Sequence, residues 1–294
     1  MSRTALSELL ARRPVALSDG AWGTLLAARG LPPGTPPERW NLERPEEVRA
    51  VAAAYVAAGA DIVLTCTFGG TRMKLAKVGL AGQVETVNRR GAELSRQAAA
   101  GKALVYASVG PTGEFLEPVG DVPEPAMTAA FAEQVRALAA GGADGICIET
   151  FTDLGEARCA LRAVREVSAL PAVVSMTFDR GPAGYATMMG VRPERAAAEL
   201  SAAGADAVGA NCGAGVEQMV EIVRLMSPAT SLPIWAKANA GLPELVGGST
   251  VYRQSPADFA ARAGELRAAG ARIVGGCCGT TPEHIRALKS ALAG

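Results

Sequence analysis

The chain has 294 residues, 49% hydrophobic and 20% charged, with 34 glycines and 4% aromatics. That describes a globular chain long enough for two average domains or for one α/β barrel, which takes about 250 residues. Lys plus Arg equals Asp plus Glu at 29 each, so charge makes no case for a nucleic-acid or membrane-surface partner.

The opening MSRTALSELLARRP has no long apolar core and carries Glu8, so no secretory signal is expected. No apolar run reaches the roughly 18 residues of a membrane span. From there, short apolar or β-branched runs alternate with Ala/Glu/Arg-rich segments of helical period. Strands are expected at 15–18, 61–65, 104–108, 145–149, 172–177, 207–210, 234–237 and 272–275. Helices are expected to follow them at 45–58, 83–99, 126–140, 154–168, 193–203, 216–226, 256–269 and 282–292. Pro45, Pro193, Pro256 and Pro282 stand near helix starts, where a missing N–H costs nothing.

One junction recurs: Ala58-Gly59-Ala60-Asp61, Gly141-Gly142-Ala143-Asp144, Ala203-Gly204-Ala205-Asp206 and Ala269-Gly270-Ala271-Arg272. Each ends a helix on glycine and enters an apolar strand. Eight such units predict a single-domain (β/α)8 TIM barrel over residues 1–294. A doubly wound open sheet is the alternative, but its phosphate-binding glycine fingerprint is not evident after the first strand. Three βα links are long, at 20–44, 109–125 and 238–255. In a barrel these share the C-terminal face, where active sites are built. The last of them carries Gly247-Gly248.

Six cysteines scattered over the chain fit a reducing cytoplasm rather than a disulfide scaffold. Cys212 ends the sixth strand within Asn211-Cys212-Gly213, and Cys277 and Cys278 end the eighth within Gly275-Gly276-Cys277-Cys278-Gly279-Thr280. Neighbouring side chains in a strand point to opposite faces, so adjacent thiols reach one ion only if the backbone leaves strand geometry, which the flanking glycines permit. Three thiols at one barrel mouth predict a zinc site with an open fourth position; the competing reading is buried small hydrophobes. Packing is the expectation for Cys66, Cys147 and Cys159. The single histidine, His284, excludes any multi-histidine metal site and is expected near a helix terminus, not as a general base.

Asp19 and Glu149 end the first and fourth strands. Together they could hold an ammonium group, although Asp19 could instead cap the following segment. The backbone of Gly20-Ala21-Trp22-Gly23-Thr24 could receive a carboxylate. Lys237, ending the seventh strand, is either an ion-paired residue or a Schiff-base nucleophile, with Asn239 a polar contact beside it.

These segments, together with Thr65-Cys66-Thr67-Phe68, Val109-Gly110-Pro111, Asn239-Ala240-Gly241-Leu242-Pro243 and Thr281-Pro282, are collinear with a known family. The chain resembles the zinc-dependent homocysteine S-methyltransferases over nearly its whole length. The Gly-Gly-Cys-Cys element with an upstream Asn-Cys is the specific feature. The resemblance implies a (β/α)8 barrel and zinc on Cys212, Cys277 and Cys278 with the homocysteine sulfur as incoming ligand. It also implies that Asp19 and Glu149 hold the amino group, and that the turn at Gly20 and Ala21 lies near the carboxylate. The product would be methionine. Within the family the chain looks most like the homocysteine module of cobalamin-dependent methionine synthase. The folate, cobalamin and reactivation modules are not among these residues, so the expected donor is a separate protein carrying methylcobalamin. S-Methylmethionine, betaine and S-adenosylmethionine are the alternatives. A Schiff-base lyase using Lys237 and a non-catalytic zinc or corrinoid-docking subunit are the competing functions.

Overall fold

In the computed structural model, residues 4–247 and 249–293 are described; Met1 to Arg3, Gly248 of the Gly247-Gly248 pair and Gly294 lie outside them. Eight parallel strands form the sheet. They are β1 (Ala16–Leu17), β2 (Ile62–Leu64), β3 (Leu104–Val109), β4 (Gly145–Phe151), β5 (Ala172–Met176), β6 (Ala207–Gly215), β7 (Ile234–Asn239) and β8 (Ala271–Gly276). Their order is β1-β8-β7-β6-β5-β4-β3-β2. A parallel bridge between Ser18 and Ile62 brings the ends together, which makes the (β/α)8 barrel expected from the repeat.

The recurring junction does more than cap helices. Gly59, Gly142, Gly204 and Gly270 all take positive φ, which glycine does without strain. The aspartate that follows three of them stitches a strand pair. Asp61 accepts the Leu17 N–H at 2.9 Å, Asp144 the Val105 N–H at 2.8 Å and Asp206 the Ala172 N–H at 2.7 Å. Arginines from the preceding shell, Arg13, Arg96 and Arg165, pair with them in turn. At the fourth junction Arg272 donates instead to the carbonyls of Leu10 and Pro14, each at 2.8 Å. The same short sequence therefore supplies a helix stop and a side-chain bond at the N-terminal rim of the barrel.

Alternation along the strands sorts two cores. Leu17, Val63, Val105, Ile148, Val174, Ala236 and Val274 point outward and pack under the helices. Ala16, Ile62, Leu64, Tyr106, Cys147, Val173, Ala207, Trp235 and Ile273 point inward. The inner cluster also contains Leu6 and Leu10, from a helix at Thr4–Arg12 that the sequence reading did not anticipate. That helix plugs the N-terminal end of the barrel. Gly209 makes room for the largest inner residue: a Cβ there would meet the Trp235 carbonyl at 2.0 Å.

The other departures are local. The helix expected at 256–269 breaks at Arg262 into Pro256–Ala261 and Ala263–Ala269. The connection after β5 carries an unanticipated hairpin, Asp179–Gly181 with Gly184–Ala186. The long connection after β7 folds as a second hairpin, Glu244–Val246 with Ser249–Val251. No helix among the described residues is long and apolar enough to cross a membrane.

Replacing Asp144, which is 2% exposed, by alanine leaves the Val105 N–H buried without its acceptor. The expected cost is about 1–3 kcal/mol, read as a lower urea midpoint with unchanged slope; an unmoved midpoint would contradict the stitching role.

Candidate active site

The inward positions change character at one level of the barrel. Above the apolar layer of Tyr106, Cys147, Val173 and Trp235, each strand steps two residues further to a buried polar side chain: Ser108, Glu149, Ser175 and Lys237, joined by Ser18 and Asn211. This polar layer floors a cavity of about 750 Å3 on the C-terminal face, which the three cysteines, Glu149, Gly20 and Ala21 all line.

Lys237 Nζ lies 2.7 Å from Asp19 Oδ1, with both side chains buried. Asp19 also accepts from Ser18 Oγ at 3.2 Å, Trp22 Nε1 at 2.8 Å and the Leu64 N–H at 2.8 Å. Its two oxygens thus already meet four donors, beneath the cavity rather than in it. Burial works against the charge on Lys237, but Asp19 and Glu149 outweigh it and hold its pKa above the ordinary value. Lys237 therefore stays an ammonium, and a Schiff base has no neutral amine to start from. The Ala21 N–H donates to Thr280 Oγ1 at 3.1 Å, which locks the glycine-rich turn to the segment after the cysteine pair.

Of the two strand-end carboxylates, Glu149 is the one that lines the cavity. Ser108 Oγ donates to its Oε1 at 2.5 Å. Burial pushes its carboxyl above the usual range, opposed by Lys237 and by the Ser108 bond. An incoming ammonium would restore the charge that burial disfavours.

The three thiols converge. The sulfurs of Cys212, Cys277 and Cys278 all lie within 4.8 Å of one another, with Cys212 and Cys278 at 3.9 Å. Strand β6 runs further than expected and carries Cys212 inside it, with φ of 61° at Cys212 and 64° at Gly213. On the other side the chain leaves β8. The Cys277 N–H bonds the Ala238 carbonyl at 2.7 Å, the Ala240 N–H bonds the Cys278 carbonyl at 3.0 Å, and Gly279 turns at φ 79°. That departure from strand geometry lets adjacent thiols point at one place. Tyr252, which the sequence reading passed over, packs on this turn. A Cβ on Gly279 would come within 2.3 Å of it.

The donor set fits a soft divalent cation. Left to themselves the thiols compete for one negative charge. Cys277 and Cys278 donate to Cys212 and lower its pKa to about 3, while Cys278 is raised to about 11 and Cys277 well above the ordinary value. A metal accepts all three as thiolates and removes that conflict. Asn239 is buried with its amide against Cys212, and its Oδ1 has no hydrogen-bond partner, an acceptor left for an incoming donor.

Cys147 and Cys159 are buried in the packing. Cys66 is also buried, yet it lines the cavity. His284 Nδ1 closes a capping box with Thr281, and its Nε2 meets the Gln254 carbonyl at 3.0 Å, a structural role. Glu38, in the proline-rich first connection, is 3% exposed and accepts the Gly69 N–H at 2.5 Å on the cavity wall. An acid in a polar loop carries no sequence signal for this. Ser108 and Asn211 do carry one, as polar residues at inward positions just past an apolar run.

Lys237→Met leaves Asp19 buried and unpaired, so a loss of about 3–5 kcal/mol is expected in thermal or urea unfolding. Adding Asp19→Asn is expected to recover part of it. A double variant as unstable as the sum of its singles would refute the pairing.

The sequence model of the homocysteine S-methyltransferase family matches residues 16–292. Methionine synthases of Mycobacterium leprae and Mycobacterium tuberculosis are each 32% identical to the chain over 99% of its length. The chain spans only 25% of either. The metallated homocysteine methyltransferase MmuM of Escherichia coli superposes with a TM-score of 0.82 at 28% identity, covering 97% of this chain and 99% of that one. With a family match over nearly the whole barrel, the chain belongs to the homocysteine S-methyltransferases.

Proposed function

We propose that the chain transfers a methyl group to the thiol of homocysteine, giving methionine, with zinc held by Cys212, Cys277 and Cys278 and a methylated corrinoid protein as donor. The observation that carries this reading is three thiols within 4.8 Å of one another in the same cavity as a buried carboxylate. Such a site suits a ligand with a sulfur at one end and an ammonium at the other. Glu149 binds the ammonium and the turn at Gly20 and Ala21 lies by the carboxylate. Asp19, paired with Lys237, holds that turn in place from below, and Asn239 orients the Cys212 sulfur. Bound there, zinc supplies the positive charge that ionises an incoming thiol near neutral pH, against an ordinary pKa of about 8.5. The chain's own contribution is orientation of the nucleophile toward the open side of the cavity. No histidine base is required.

One feature favours a protein-borne donor. A corrinoid, too large to share the cavity with an amino acid, would need its carrier on the rim. The exposed large hydrophobics Phe115, Val119, Met188, Met189, Leu242, Leu245 and Val246 all lie on connections after β3, β5 and β7, around the mouth, where a partner would cover them. S-Methylmethionine, betaine and S-adenosylmethionine remain the small-molecule competitors, since each fits inside about 750 Å3. Six free thiols suit a cytoplasmic enzyme.

Zinc-loaded protein is expected to form methionine from homocysteine and methylcobalamin, and Cys212→Ser or Cys277→Ser to lose both zinc and turnover. Activity in metal-free Cys212→Ser sinks the zinc mechanism; turnover with a small donor alone moves the donor assignment. A zinc-loaded chain inert with every donor makes it a docking subunit.

Glu149→Ala is expected to raise the homocysteine KM at least tenfold, the effect of losing a charge-assisted bond of about 1.5–3 kcal/mol. The pH dependence has a definite sign. Protonated Glu149 is neutral and cannot offset an ammonium, and its pKa is raised by burial. Homocysteine KM should therefore climb as pH falls toward and through that raised value, above the ordinary carboxylate range. Glu149→Gln should flatten the climb; a wild-type profile in Glu149→Gln assigns the titration elsewhere.

A further inference from the structure

Two residues with side chains hold left-handed backbone at the floor of the cavity: Thr150 at φ 67° and Cys212 at φ 61°. Non-glycine residues rarely adopt that region and keep it only where their surroundings over-determine it. Thr150 follows Glu149, and Cys212 is itself one of the three thiol positions.

Asn211 joins the two turns. Its Oδ1 accepts the Thr150 N–H at 2.9 Å and Ser175 Oγ at 2.7 Å. Its Nδ2 donates to Thr150 Oγ1 at 2.7 Å and lies 3.9 Å from Cys277 Sγ. Its main-chain carbonyl accepts Thr177 Oγ1 at 3.0 Å. One fully buried amide on β6 thus ties together the ends of β4, β5 and β8. It does so where the ladder gives way. Register shifts between Ile148 and Phe151 on β4, and between Asn211 and Gly215 on β6. At such irregularities main-chain pairing no longer sets the spacing of neighbouring strands.

We propose that Asn211 is a positioning residue that sets the separation between Glu149 and the sulfur cluster, and through it the chain length of the amino-thiol that is accepted. The inference rests on the homocysteine reading above. Both ends of one small molecule are anchored, so a displaced anchor is felt as a mismatch of carbon count. One methylene is worth about 10–200-fold in a site built for it.

The test titrates zinc-loaded wild type and Asn211→Ala with homocysteine and with cysteine, one methylene shorter, by calorimetry. Zinc affinity is measured alongside by chelator competition. Wild type is expected to prefer homocysteine by at least about tenfold. In Asn211→Ala that preference is expected to shrink to near unity, chiefly through weaker homocysteine binding. Zinc affinity should fall by about 10–100-fold, the usual effect of losing a residue that orients a ligand. A merely structural role would lower the unfolding temperature and leave the preference alone; a folded, zinc-loaded Asn211→Ala with wild-type preference overturns the proposal. Should that variant not fold, Ser175→Ala and Thr150→Val each remove one of the bonds. A narrowed preference in either supports the proposal, and an unchanged preference in both overturns it. Wild type that binds neither amino-thiol defeats the homocysteine reading and this inference together. Wild-type binding with unmoved preference in the variants defeats this inference alone.

Discussion

Asp19, together with Asp61, braces the closure of the barrel. The meeting of β1 and β2 is one bridge, between Ser18 and Ile62, because both strands are short. Asp19 reinforces that seam with two bonds and ties it across the barrel with a third. Its N–H bonds the Ile62 carbonyl at 3.0 Å, its Oδ2 takes the Leu64 N–H, and its Oδ1 reaches across the barrel to Lys237. A buried ion pair gains little over an apolar pair unless its remaining lone pairs are filled, and here Ser18 and Trp22 help to fill them. The cavity floor and the closing contact of the fold are therefore the same residues, and the glycine-rich turn after Asp19 inherits their rigidity.

Above that floor the charges are arranged by role. Asp19 and Lys237 neutralise each other, Asp19 beneath the cavity and Lys237 in its floor, so Glu149 and the thiols are left as the acceptors that an incoming molecule meets. Both are unsatisfied in the same sense. Burial has raised the Glu149 carboxyl, and the sulfurs share one negative charge among three groups. A site with a buried carboxylate and crowded thiols favours ligands that bring positive charge to both places, a metal at one and an ammonium at the other.

The two ends of the barrel are built differently. At the N-terminal end, aspartates from the repeated junction and the plug of Leu6 and Leu10 fix the strands. The C-terminal connections carry the hairpins and the exposed apolar side chains. Between these levels Thr150, next to Glu149, and Cys212 hold left-handed backbone, and the Asn211 amide bonds Thr150 from the residue before Cys212.

Much of this was legible in the residues. The Gly-Ala-Asp junctions announced βα units, and short apolar or β-branched runs placed the eight strands within a few positions of where they lie. Cysteines beside glycines at strand ends marked a site, because short-range geometry allows adjacent thiols to converge only through such a turn. The N-terminal plug, the Glu38 contact and the hairpin over Cys278 were not legible, since each depends on partners tens of residues away and has no periodic signature. Nor could the residues apportion roles between two strand-end carboxylates. Chemistry and position in sequence made Asp19 and Glu149 equivalent. Only the closed barrel brings Lys237, Trp22 and the Leu64 amide onto one of them and leaves the other facing the cavity. The sequence by itself determined which strand-end side chains would reach the mouth, because strand position and alternation are local. The tertiary structure decided which of them are already occupied, because a hydrogen-bond partner across a barrel belongs to no local pattern.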